Sequence, residues 1–117
     1  MKISTHHRSA FTLVEVMIVV SLIGLLTAIA IPQFAKARMY SQRNACIANL
    51  KQIEGAKATW AMEQKKTSTD TPALSDLWGA SNYIRDQPYC PSGGTYNPEQ
   101  VQTKASCSEG PTMGHTL

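Results

Sequence analysis

Apolar positions are concentrated near the start of the chain. From Phe11 to Ile31, a run of 21 residues, Glu15 is the one charged side chain and everything else reads as continuous apolar helix former. At about 1.5 Å of rise per residue this run reaches about 31 Å, the hydrocarbon thickness of a bilayer. Membrane insertion near the N-terminus is the first implication.

Gly24 and Pro32 are the helix-weakening positions of this stretch. Pro32 has no N–H, so the carbonyl of Ala28 loses its partner and a kink or loosening is expected there. The helix is nevertheless expected to continue. Ala35, Ala37, Ala45, Ala48, Ala56, Ala58 and Ala61 follow with Lys, Gln and Glu between them, and no proline intervenes before Pro72. The pattern predicts one long helix over residues 11–64, apolar over 11–31 and amphipathic over 32–64. In the second part Met39, Cys46, Ile53 and Trp60 recur every seven residues, Leu50 falls between, and Tyr40, Ile47 and Ala61 widen the stripe. Lys51, Gln52, Glu54 and Glu63 lie largely outside it. The run is short for a free coiled coil and lacks ordered flanking charge pairs, so the stripe is expected to receive the remaining 53 residues, with Trp60 as a packing residue.

Lys65 and Lys66 and the polar run Thr67 to Pro72 signal the end of the helix. Leu74, Leu77 and Trp78, then Tyr83 and Ile84, predict one short second helix. Pro91-Ser92-Gly93-Gly94 reads as a turn, Thr95-Tyr96-Asn97 as a short strand, and Thr103 to Ser108 as the return strand of a hairpin packed on the helix. Gly93 and Gly94 are expected to supply positive φ in that turn. A phosphate loop is excluded there, since no helix start or lysine follows at the required spacing.

The flanks of the apolar run allow three readings. Lys2 and Arg8 precede it, and Thr27-Ala28-Ile29-Ala30 offers the small-residue pattern of a Sec signal, which would release a secreted binding domain after Ala30. A plain single-span anchor without any polymer is the second. Its orientation is not decided by charge, because Lys2, Arg8 and the free amine face Lys36, Arg38 and Arg43. Neither reading gives Glu15 a purpose, although a carboxylate at a helix centre in a bilayer costs about 2.5 to 3.5 kcal/mol.

The third reading does. Residues 11–15, Phe-Thr-Leu-Val-Glu, follow a short basic leader and open the apolar run, and in this they resemble the processing site of type IV pilins and type II secretion pseudopilins. The resemblance implies that a prepilin peptidase and N-methyltransferase cuts between Ala10 and Phe11 on the cytoplasmic side and methylates Phe11. Glycine is usual before the cut in that family; here the residue is Ala10, also small. Residues 1–10 would then be a leader peptide, followed by the helix over 11–64 and a small globular region over 65–117. The implied fold is α+β and pilin-like: a long N-terminal helix, transmembrane and then amphipathic, with a small C-terminal domain holding a short helix and a β-hairpin. Ala45 to Leu50, Cys90 to Tyr96 and the late Cys107, Ser108, Gly114 and His115 also resemble short bacterial pilin-like proteins, as scaffold.

Glu15 acquires a chemical role on this reading. The Phe11 α-amine is cationic with or without methylation, and a carboxylate four residues on can neutralise it, in its own chain or in a neighbour. The resemblance favours the neighbour, making the pair a register for assembly. Implied partners are the processing enzyme, further copies and other pilins or pseudopilins in a helical polymer, an inner-membrane assembly platform, and the lipid bilayer. The implied location is the inner (cytoplasmic) membrane, crossed once with the globular part outside, and afterwards a periplasmic or surface filament.

Composition narrows the field. A chain of 117 residues with net charge +3 holds one small domain and excludes a multidomain enzyme. Without the leader the charge falls to +1, and no direct nucleic-acid partner is expected. His6 and His7 belong to the leader, which leaves His115; with no nucleophile, zinc-protease or Walker motif, the chain reads as a non-enzyme without a cofactor. Three cysteines allow three single pairings. Outside the membrane a disulfide contributes about 2 to 4 kcal/mol, and Cys90 with Cys107 is the expected pair, Cys46 being the alternative partner of either or a buried thiol. A metal site from Cys90, Cys107 and His115 has no C-x-x-C or H-x-x-x-H spacing behind it, and none is expected.

Overall fold

The computed structural model describes residues 9–117, so most of the expected leader, with His6 and His7, lies outside the described residues. The element order is α1 (Leu13–Glu63), α2 (Leu74–Leu77), β1 (Tyr96–Asn97), β2 (Ser106–Cys107) and α3 (Gly110–Met113). This is the expected α+β arrangement, with α1 close to its expected bounds and α3 as an addition. The chain divides into two compact units, one ending at Lys36 and one running from Ala37 to Leu117.

In the first unit α1 passes through Gly24 and Pro32 as unbroken helix. Its large apolar side chains, among them Leu13, Val16, Ile18, Leu22, Ile23, Leu26, Ile29 and Phe34, are all exposed. By length and composition the helix can cross a membrane. Its hydroxyl groups fit that environment because they are satisfied within the helix: Ser21 Oγ donates to the Met17 carbonyl at 2.7 Å, and Thr27 Oγ1 to those of Ile23 and Gly24 at 3.0 Å.

The second unit has a buried core. Cys46, Leu50, Ile53, Ala56 and Trp60, spaced three or four residues apart, form with Ala61 one face of α1, and they pack with Leu77, Ile84, Cys90, Tyr96, Ala105 and Cys107. The core starts at Cys46. Met39 and Tyr40, expected on the buried stripe, are exposed, because periodicity identifies a face but not how far the covering chain reaches along it. α1 ends in a Schellman motif: Lys66 N–H donates to the Ala61 carbonyl at 2.9 Å, Lys65 N–H to that of Met62 at 3.4 Å, and Lys65 adopts φ 51°. The lysines therefore form the cap itself and not the last helical turn.

The hairpin is shorter than expected. Tyr96 pairs with Cys107 and Asn97 with Ser106, burying the first pair and exposing the second. The return strand does not reach back to Thr103, because side chains of α1 take its backbone groups: Lys57 Nζ donates to the Thr103 carbonyl, and Glu54 Oε1 accepts from Ala105 N–H. Lys57 is almost fully buried. Its ammonium also meets Glu54 Oε1 at 2.6 Å and the carbonyls of Pro98 and Gln100 at 2.9 and 3.1 Å, so all its donors are used. Glu54, placed largely off the stripe by periodicity, is thus part of the seam between α1 and residues 98–105.

Candidate functional site

Two groups among the described residues carry chemistry. The first is the start of α1. Thr12 precedes the helix, its Oγ1 accepts from Glu15 N–H at 3.3 Å, and Glu15 Oε2 accepts from Thr12 N–H at 3.4 Å. This is a capping box, read directly in the spacing Thr-x-x-Glu, and it satisfies two of the helix's free N–H groups. Glu15 therefore has an intrachain task besides any pairing with the Phe11 amine. It also sets a negative group in the first turn, where the helix dipole favours one. Ala10 and Phe11 lie just before the helix, both exposed. The Thr27-to-Ala30 stretch is by contrast inside α1.

The second group comes from four segments of the small unit. Cys46 sits on α1, Cys90 before the Pro91-to-Gly94 turn, Cys107 on β2 and His115 after α3. All four are buried, and three sulfurs and one ring nitrogen lie within 4.8 Å of one another. Cys90 Sγ is 3.7 Å from His115 Nδ1. Cys90 and Cys107, the expected pair, are thus neighbours, but Cys46 and His115 are equally close, and each cysteine is a free thiol. Sequence named Cys90, Cys107 and His115 as a set with no spacing motif behind it, and Cys46 as a fourth member was not foreseen, since no two of the four are closer than eight residues.

Local geometry explains how the chain brings them together. Gly93 takes φ 84°, as expected for the turn. Gly94 does not have positive φ; it is small for another reason. A Cβ there would come within 2.9 Å of Cys107 Sγ and 2.8 Å of Glu109 Cγ. α3 closes on Gly114 at φ 68°, whose carbonyl accepts from Arg43 Nε at 3.0 Å, anchoring the residue before His115 to α1. The thiols differ in electrostatic setting. Burial pushes Cys46 up to about 12, against a hydrogen bond from Tyr96. At Cys90 burial opposes ionisation, yet the backbone N–H groups of Ser92 and Gly94, then His115 and Cys46, outweigh it and bring the thiol down to about 7. Burial and the neighbouring Cys46 hold the Tyr96 phenol above its usual range, while its oxygen accepts from Asn49 Nδ2 at 3.1 Å.

Comparison with known proteins bears on the first group. Residues 5–31 match the family model of the prokaryotic N-terminal methylation motif. The chain is 43% identical over 58 residues to the type IV major pilin protein PilA of Myxococcus xanthus, covering 50% of this chain and 26% of the relative. It is 41% identical over 59 residues to the type IV major fimbrial protein FimA of Dichelobacter nodosus, covering 50% and 37%. Against the competence protein ComGC of Halalkalibacterium halodurans it is 29% identical over 93 residues, which is 80% of this chain and 86% of the relative. The chain thus spans about a quarter of the Myxococcus pilin and most of the competence protein. No solved structure matches. The methylation motif, the long apolar helix that it opens and the pilin relatives agree on one likeness: over its N-terminal half the chain is similar to type IV pilins.

Proposed function

We propose that the chain is a structural subunit, not an enzyme, cut between Ala10 and Phe11 by a prepilin peptidase and assembled through its apolar helix into a type IV pilus or type II secretion filament. The observation that carries this reading is an exposed Ala10-Phe11 junction directly ahead of a helix whose large apolar side chains over residues 13–34 are uncovered among the described residues. Such a helix needs lipid before assembly and neighbouring helices after it, which together describe a heterologous contact that repeats without closing. Glu15 has two uses here: it caps its own helix start, and in the assembled state its carboxylate neutralises the Phe11 amine of a neighbour. Subunits wait in the inner membrane with the globular part outside, in contact with an assembly platform and the processing enzyme.

A role in competence is a second reading, favoured because the ComGC match extends over most of both chains while the two pilin matches stop at about half of this one. Loss of transformation with intact secretion on deleting the gene would support it.

Intact-mass spectrometry with N-terminal fragmentation of protein from membranes or a sheared surface fraction tests the main proposal. A chain starting at N-methyl Phe11 is expected. A start at Ile31 would make it an exported domain, and an uncut Met1 would leave a simple anchor; either overturns the proposal. Glu15→Val is expected to insert into membranes normally and to form no filaments, and filaments in normal number would remove the pairing role.

A further inference from the structure

The helix start uses none of the four buried groups Cys46, Cys90, Cys107 and His115. We propose that these four residues form a structural Zn2+ site of three thiolates and one imidazole, clamping three separate loop segments to α1.

The donor set is soft and of the kind that selects Zn2+ with four-fold tetrahedral coordination, and with four protein ligands the site is closed, as in structural and not catalytic centres. In such a tetrahedron, bonds of about 2.3 Å to sulfur and about 2.0 Å to nitrogen place sulfur atoms about 3.8 Å apart and sulfur about 3.5 Å from nitrogen. The Cys90 Sγ to His115 Nδ1 distance is 3.7 Å, and no pair of donors exceeds 4.8 Å. Closing on an ion asks for shifts below about 1 Å.

A disulfide is the rival use of the same atoms, and it fits less of what is there. It would employ two sulfurs and leave a third sulfur and an imidazole buried beside them. The packing leaves room for such a cluster: the missing Cβ of Gly94 keeps space open against Cys107 Sγ. Arg43, through the Gly114 carbonyl, steadies the backbone that presents His115. On binding, three thiol protons leave to solvent and the four-ligand centre carries one net negative charge. Residues 65–117 have two-residue strands and four-residue helices, so a covalent-strength tie at the centre of the unit has a clear physical purpose.

The test uses the full chain, purified in detergent, reduced and stripped of metal, and titrated with Co2+ as a spectroscopic probe before displacement by Zn2+. One ion per chain is expected, with the intense visible bands of tetrahedral cobalt thiolate, and native protein should carry about one zinc by elemental analysis. Cys107→Ser and His115→Ala should weaken binding by at least about tenfold. His115→Cys should keep the ion and strengthen the sulfur-to-cobalt charge-transfer band, which preserves the test if the other variants fail to fold. A wild-type chain that shows no tetrahedral spectrum, or a native chain without zinc whose peptide map contains a Cys90–Cys107 bond, would overturn the site. The outcome is independent of where the mature chain starts.

Discussion

Leu22 and Leu50 are the same residue type on the same helix, yet Leu22 is more than half exposed and Leu50 has no exposed surface. The first lies in a stretch where every large apolar side chain is uncovered; the second belongs to a single core with Leu77, Ile84, Tyr96 and Cys107. The contrast separates two reasons for a helix to be apolar. Around residues 13–34 no described residue covers the apolar side chains, the proposed partner being lipid or another subunit, and the sequence is apolar on nearly all sides. From Cys46 onward the partner is residues 65–117, and the apolar positions narrow to one face. Stability of the small unit and competence of the apolar stretch should thus be separable by mutation.

The sharpest way to break that separation is a matched pair of truncations. Leu50→Ala is expected to destabilise the small unit by about 3 to 4 kcal/mol, through lost burial and a residual cavity. Leu22→Ala should shift it by less than about 0.5 kcal/mol, as for any substitution outside a packed core. Urea titration followed by Trp60 fluorescence in detergent measures both, and equal losses would dissolve the distinction. Lys57→Met comes next, at about 2 to 3 kcal/mol, because it leaves the carbonyls of Pro98, Gln100 and Thr103 and the Glu54 carboxylate without their common donor. Amide exchange should then rise at Ala105 more than at Tyr96. A neutral result would mean that the seam between α1 and residues 98–105 is decorative.

Lys65→Gly should act in the other direction, stabilising by about 1 kcal/mol, since glycine removes the side-chain penalty of the left-handed cap conformation. A loss of stability would show the Lys65 side chain to be useful. The smallest effect concerns Asp70, whose carboxyl is held below its ordinary value of 3.8 chiefly by the Thr67 N–H and then by the Thr67 hydroxyl. Its folded pKa is depressed, so its contribution is fully present above pH 3.8 and is lost as pH falls through the lower folded value. The stability gap between wild type and Asp70→Ala should therefore close in acid, below pH 3.8, and stay constant from pH 5 to 7.

What could be read in the sequence differed by physical cause. The long helix was legible because its signals are local: uninterrupted helix formers and a seven-residue stripe. The turn at Gly93 and the strand at Tyr96 and Asn97 were legible for the same reason. The stripe's extent was not, because Met39 and Ile53 obey one period and only the length of covering chain distinguishes them. Glu54 and Lys57 escaped notice since charged residues on a helix are ordinarily solvated, and their burial depends on carbonyls more than forty positions away.

The methylation motif, the apolar stretch and the likeness to pilins were thus determined by residues adjacent in sequence, where helix periodicity and backbone chemistry act at short range. The meeting of Cys46, Cys90, Cys107 and His115 was decided by tertiary structure alone. Those residues come from four segments, and a donor cluster is defined by distances in space that no spacing along the chain encodes.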